Sequence, residues 1–201
     1  MFMSMIGLSA LAAAPDGARP VASLLEQRHE AVVVQQWDLS CGAAALATLL
    51  NHQHGEAVTE REVAAMLVDR PEYLDHPWIV RARHGFSLHD LRRVARRYGY
   101  EGIGLGNLTM EGLDLLAPLI VPVDFTGYPH FVIYRGREGG EVLLADPAFG
   151  NRTMTADRFE RAWMEDARLG RIGFRIALVG DAGVTAGALA FDRDQLHMVR
   201  P

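Results

Sequence analysis

The sequence contains no lysine, so all 20 of its basic residues are arginine. Chemistry that depends on a lysine amine is therefore excluded, including Schiff-base formation, the phosphate-binding lysine of P-loop proteins and the kinase ion pair. A formal net charge of −5 also argues against the basic surface that nucleic-acid binding requires. We expect a protein that uses neither ATP nor nucleic acid.

Cysteine is almost absent as well, since Cys41 is the single one and cannot form an intramolecular disulfide. The histidines do not have the spacing of metal ligands. His52 and His54 flank a predicted helix end, and His84 and His89 are five residues apart, so none of them makes an i,i+4 pair on a helix. We expect no metal and no cofactor.

Long hydrophobic runs are missing too, because no segment reaches the roughly 18 apolar residues of a membrane-spanning helix. Residues 1–14 are uncharged and mostly apolar, and small residues at positions 10 and 12 precede Ala13 as in a secretory signal. No arginine precedes this stretch, and an N-terminal helix packed on the domain is the alternative. We predict a signal peptide at 1–14, a linker at 15–31 and an exported, for example periplasmic, chain without a membrane span.

The order of the predicted elements is helices first and antiparallel strands second, which indicates an α+β fold. A buried helix is predicted at 43–50, and capping boxes at Thr59 and Ser87 each predict a further helix start. The predicted strands are 119–125, 130–135, 142–145 and 172–179. We interpret the glycine pattern at 102–106 as a turn rather than a dinucleotide site. The domain is expected at 32–179, followed by a poorly ordered tail at 180–201.

Cys41 and Gly42 lie at the predicted first turn of the first buried helix, with Asp38 or Ser40 as candidate caps. The positive end of the helix dipole favours a thiolate there. A glycine beside the cysteine would allow a substrate backbone to approach closely. The alternative is that Cys41 is only a small buried hydrophobe.

His130 begins an apolar strand, where packing does not require a histidine, and Asp146 follows one hairpin later. Neighbouring antiparallel strands can bring the two side chains together. Each residue alone also has a structural explanation. His130 can be a strand histidine whose hydrogen bonds are satisfied, and Asp146 can be an aspartate that opens a turn. With Cys41 they form the nucleophile, base and orienting carboxylate of a cysteine hydrolase.

An amide shortly before the nucleophile could donate to a developing oxyanion together with the Cys41 N–H. Both Gln35 and Gln36 are available, and the residues alone do not decide between them.

Three segments, QQWDLSCGAAALATLL, GYPHFVIY and LLADPAFGNRT, together resemble the C39 cysteine peptidases over roughly residues 32–178. The resemblance implies a papain-like fold, with the nucleophile helix in an N-terminal helical half and an antiparallel sheet in the C-terminal half. It also implies the site residues Gln35, Cys41, His130 and Asp146, and a peptide or protein substrate.

The best-known members of that family are fused to export transporters and cleave leader peptides after a Gly-Gly pair. This sequence differs in having no predicted membrane helices and in carrying Ser40 where Asp or Glu often precedes the cysteine. It is similar to stand-alone, exported members that serve functional-amyloid secretion, which makes an amyloid subunit or another secreted client the expected substrate. A non-hydrolytic client-binding module and a thiol acyltransferase are the alternatives.

Overall fold

The computed structural model describes residues 23–180 and 187–198, so the predicted signal peptide at 1–14 lies outside the described residues. The helices are α1 (Leu24–His29), α2 (Cys41–His54), α3 (Glu60–Val68), α4 (Pro71–Asp75), α5 (Trp78–Ala82), α6 (Leu88–Arg97), α7 (Met110–Leu116), α8 (Ala156–Ala162) and α9 (Arg193–Met198). The strands are β1 (Tyr100–Leu105), β2 (Leu119–Asp124), β3 (Pro129–Glu138), β4 (Glu141–Asp146), β5 (Gly150–Thr155), β6 (Glu165–Asp166), β7 (Gly170–Arg171) and β8 (Gly173–Leu178). Among the described residues, no helix has the length and apolar character needed to cross a bilayer.

The predicted capping boxes start two of the helices. At α3, Thr59 Oγ1 accepts from the Glu62 N–H and the Glu62 carboxylate accepts from the Thr59 N–H. Ser87 and Asp90 make the same reciprocal bonds at α6. Each box satisfies backbone donors that a helix start leaves without partners. Both predicted helix starts are therefore confirmed.

Six antiparallel strands form the main sheet in the order β1-β8-β2-β3-β4-β5. Alternate side chains point to opposite faces. Ile120 and Ile133 join the core formed with α2, α3 and α6, whereas Val121 and Tyr134 join a second core formed with α7 and α8. Helices therefore cover both faces, and the predicted α+β class is confirmed.

Helix α2 is the centre of the first core, and its first turn lies close against β3. A Cβ atom at Gly42 would lie 3.3 Å from the Phe131 ring and 3.4 Å from the Leu91 side chain. The glycine therefore serves the close packing of α2 on β3 and α6. The expectation that it opens a path for substrate backbone is wrong.

The prediction of a turn at 102–106 is also wrong, because residues up to Leu105 form β1. A Cβ atom at Gly102 would lie 2.7 Å from the Phe174 ring and 2.8 Å from the Arg92 backbone. Gly102 lets α6 and Phe174 pack closely on this strand, and the glycines of the strand also remove the side-chain alternation that would have revealed it.

A poorly ordered tail was expected at 180–201, but its described part, residues 187–198, packs against the domain. Leu189 is fully buried in the first core. The guanidinium of Arg135, 1% exposed, donates to the carbonyl oxygens of residues 188–190 and to Gln195 Oε1. Because a buried guanidinium needs several acceptors, this segment is required to satisfy Arg135.

Candidate active site

Cys41 is the first residue of α2 and is 5% exposed. Ser40 occupies the N-cap position, but its side chain makes no capping hydrogen bond, so the prediction of a side-chain cap from Asp38 or Ser40 is wrong. The N–H groups of the first turn, including that of Cys41, are therefore not occupied by a cap. The helix dipole and these donors stabilise negative charge at this position.

The structure brings His130 and Asp146 together. His130 Nε2 lies 2.8 Å from Asp146 Oδ1, and the carboxylate is fully buried. The two residues lie on β3 and β4, which pair in antiparallel register through Ile133 and Ala145. This register places both side chains on the same face of the sheet, as the hairpin argument predicts.

His130 binds Asp146 through Nε2, and its ring also makes a hydrogen bond with Cys41. Burial is the largest single influence on the imidazole and lowers its pKa, but hydrogen bonds to Asp146 and Cys41, and the charges of both partners, outweigh it and raise the pKa of His130 to about 9. A pKa of about 9 keeps the His130 imidazole protonated at neutral pH.

The raised pKa predicts the pH dependence of activity. An acid role for His130, in which its ring protonates the leaving amine, predicts that kcat/KM falls as the pH rises above about 9. The substitution Asp146→Asn removes a carboxylate that raises this pKa, so the alkaline limb of its residual activity should move to lower pH. Profiles of kcat/KM from pH 5 to 11 check both points. An alkaline limb that stays in place in the Asn variant would show that Asp146 does not control the imidazole.

Arg152 is a site residue that the sequence reasoning missed. Its Nη1 lies 3.2 Å from Asp146 Oδ2, while the Ala148 N–H donates to Oδ1 at 2.9 Å. The guanidinium lies 5.2 Å from the ring centres of both Phe125 and Phe149. The tight β4–β5 connection, with Asp146 paired to Gly150, puts residue 152 on the face of the aspartate. That connection was the available signal, but β5 itself was not predicted.

The two glutamines have different surroundings. Gln35 is half-buried, and its Nε2 donates to the Trp37 carbonyl at 3.1 Å while its buried Oε1 has no hydrogen-bond partner. Its N–H donates to the Pro147 carbonyl at 2.8 Å, which joins this segment to the loop after Asp146. The Gln36 side chain is exposed. Gln35 is thus the more buried of the two glutamines and is bonded to the loop that follows Asp146.

Two adjoining cavities lie at and beside Cys41. The smaller, about 140 Å³, has Cys41, His130, Pro122, Phe131 and Met164 in its lining, together with His84 and Phe86. His84 and Phe86 also line a groove of about 1020 Å³ whose walls are largely apolar and include Trp37, Leu39, Val68, Tyr73, Leu74 and Tyr128. A largely apolar groove that adjoins a small cavity at Cys41 offers a surface on which a peptide could bind. Within the part of the chain that the structure describes, no group of three or more ligating side chains could hold a metal ion.

Comparison with known proteins identifies relatives of the whole arrangement. Residues 29–167 match the model of the peptidase C39 family. A probable functional amyloid protease FapD of Pseudomonas fluorescens is 34% identical, with 92% of this chain and 78% of the relative covered. The FapD of Pseudomonas aeruginosa is 33% identical over 72% of this chain and 62% of its own length, so the chain spans less than two thirds of that relative.

A solved structure agrees in fold. The crystal structure of a double glycine motif protease from an AMS/PCAT transporter, in complex with its leader peptide, is 25% identical with a TM-score of 0.57, covering 74% of this chain and 94% of that one. The predicted resemblance to C39 peptidases and the papain-like fold are confirmed. The chain belongs to the peptidase C39 family and is a cysteine peptidase.

Proposed function

We propose that this protein hydrolyses a peptide bond in a secreted client, with Cys41 as nucleophile, His130 as acid and base, and Asp146 as the orienting carboxylate. The observation that carries the proposal is the His130–Asp146 contact of 2.8 Å beside the single cysteine, at an uncapped helix start. Gln35 and the Cys41 N–H are proposed to hold the oxyanion.

The chemistry follows from these positions. His130 accepts the thiol proton, and the thiolate attacks the scissile carbonyl carbon to give a tetrahedral oxyanion. The oxyanion collapses as His130 protonates the leaving amine, which leaves a thioester on Cys41. Water, deprotonated by His130, then hydrolyses the thioester. Throughout this cycle Asp146 keeps the ring oriented, so that Nδ1 faces the sulfur.

The cavities support a substrate with small residues next to the scissile bond. A volume of about 140 Å³ around Cys41 and His130 leaves little space for a large side chain. The structural relative is a double glycine motif protease, so we propose that this chain also cleaves after small residues such as glycine. The apolar groove would then bind apolar residues of the same client.

We propose a functional-amyloid subunit, or another client of the same secretion pathway, as the physiological substrate. The similarity to two probable functional amyloid proteases supports this assignment. Residues 1–14 have the features of a secretory signal, which would place the mature domain with such clients outside the cytoplasm.

Labelling and cleavage together test the proposed function. Cys41 should react rapidly with iodoacetamide even near pH 5, and the protein should cleave internally quenched peptides that carry Gly-Gly, but not Val-Val, before the scissile bond. Because Cys41 is the single cysteine, mass spectrometry assigns the label without ambiguity. Alkylation at the rate of an ordinary thiol, with no cleavage of any peptide, would instead indicate a client-binding module.

The glutamine pair provides a second test. Loss of one oxyanion donor typically lowers kcat by roughly 100- to 1000-fold with little change in substrate binding. We expect this result for Gln35→Ala, because Gln35 is half-buried, and a change of no more than a few-fold for Gln36→Ala, because its side chain is exposed. Steady-state kinetics of the two variants in parallel decide the matter. A crippled Gln36→Ala enzyme would transfer the role to Gln36, and two active variants would remove the side-chain donor from the mechanism.

A further inference from the structure

Glu60 is a buried carboxylate that the mechanism above does not use. It is the first residue of α3, where an acidic side chain usually lies in solvent, yet it is only 3% exposed. Among the described residues it makes no ion pair with a basic side chain. A buried carboxylate without a cation must be held by hydrogen-bond donors.

Those donors belong to the segment that leads to the nucleophile. The Gln36 N–H lies 2.9 and 3.1 Å from the two carboxylate oxygens of Glu60, and Ser40 Oγ lies 2.5 Å from Oε1. Residue 36 follows Gln35 and residue 40 precedes Cys41. Glu60 therefore binds residue 36, next to Gln35, and residue 40, next to Cys41. Gln35 and the Cys41 N–H are the two proposed oxyanion donors.

A second set of contacts extends the network to the Gln35 side chain. The Trp37 carbonyl oxygen accepts from Gln35 Nε2 at 3.1 Å and lies 2.6 Å from Ser40 Oγ, whose single hydrogen is shared between this carbonyl and Glu60 Oε1. Between these residues Leu39 adopts a positive φ of 68°, a conformation that a leucine rarely takes without support from its surroundings. The turn at residues 36–40 thus depends on the bonds that Glu60 makes at its two ends.

We propose that Glu60 is a positioning residue that holds Gln35 and the Cys41 N–H in the geometry required to bind the oxyanion. The proposal rests on the proposed function, because it concerns the same hydrolytic site. Without the carboxylate, the Gln36 N–H loses its buried acceptor, Ser40 Oγ keeps only the Trp37 carbonyl, and the turn relaxes. The transition state then loses stabilisation. The contacts among Cys41, His130 and Asp146 do not involve Glu60 and therefore remain.

The central experiment compares Glu60→Ala with Glu62→Ala on cleavage of the quenched Gly-Gly peptide. Glu62 is the exposed capping-box acid of the same helix, so its loss weakens α3 without touching residues 36–40. For Glu60→Ala we expect kcat to fall roughly 10- to 100-fold, somewhat less than for removal of a donor itself, with KM changed less than threefold. For Glu62→Ala we expect unchanged kcat and a lower melting temperature.

Two further readouts separate positioning from a general structural role. Alkylation of Cys41 by iodoacetamide forms no oxyanion, so its rate and pH profile should be the same in Glu60→Ala as in the wild type. Addition of the thiol to a peptide ending in glycinal gives a tetrahedral adduct, so affinity for this aldehyde should fall by about the same factor as kcat. Glu60→Gln should recover kcat to within about threefold, because its amide can accept from Gln36 and donate to Ser40.

The outcomes are distinct. A folded Glu60→Ala variant with wild-type kcat, or one in which alkylation slows together with kcat, overturns the proposal. If Glu60→Ala does not fold, Ser40→Ala replaces it, because it removes the hydroxyl that contacts Glu60. The proposal then requires that Ser40→Ala lowers kcat and leaves the rate of Cys41 alkylation unchanged. If the wild type cleaves no peptide, the proposed function fails, but glycinal affinity, measured as protection of Cys41 from iodoacetamide, still decides the role of Glu60.

Discussion

Replacing Cys41 by alanine is expected to abolish peptide hydrolysis while the fold persists. Loss of the nucleophile in a triad hydrolase lowers kcat by on the order of 10⁶-fold. Cys41 is buried at the start of a helix, and alanine is a good helix former, so the small cavity left by the sulfur should cost about 1 kcal/mol of unfolding free energy. Cleavage of the quenched Gly-Gly peptide and a thermal melt measure the two quantities.

A matched variant strengthens this experiment. Cys41→Ser keeps a side chain of similar size and should be as inactive as the alanine variant, because a serine hydroxyl at this site is a far weaker nucleophile than a thiolate. Retained cleavage accompanied by a large fall in melting temperature would instead make Cys41 a packing residue.

Replacing His130 by alanine is expected to lower kcat by roughly three or more orders of magnitude, as for the bases of other triads. Both the thiolate and the protonated leaving group depend on this ring. The fold should tolerate the change, because Asp146 keeps its bonds to Arg152 and to the Ala148 N–H. Steady-state kinetics, with circular dichroism to verify folding, test the expectation.

His89→Ala is the control for this variant, because His89 is exposed on α6 and lies outside the site. It should keep wild-type kcat and KM. If His130→Ala lost less than tenfold in kcat, His130 would not be the base, and another group would have to activate Cys41.

Local sequence signals were sufficient for much of the fold. The capping boxes at Thr59 and Ser87 each satisfy donors within four residues, so their outcome depends little on the rest of the chain. His130 and Asp146 are separated by a single hairpin, and the alternation of side chains along two paired strands is enough to place them together. Strand β1 was missed because its glycines carry no side-chain pattern.

Other features depend on segments that are far apart in the chain. The burial of Arg135 is explained only by carbonyl groups more than fifty residues later, so the described part of the tail could not be recognised as packed. Arg152 joins the site through a strand that the sequence pattern did not reveal. Glu60 has the position of an ordinary first-turn acid, and only the approach of α3 to residues 36–40 turns it inward.

By itself, the sequence determined the α+β class, the C39 resemblance and the identity of Cys41, His130 and Asp146 as candidate site residues. These conclusions rest on short motifs and on neighbouring strands, whose geometry is set by local backbone periodicity. Only the tertiary structure decided which glutamine lies inward, which side chains support the carboxylate of Asp146 and what holds the segment before Cys41. These depend on burial and on hydrogen bonds between distant segments, and both arise only when the helices and the sheet pack together.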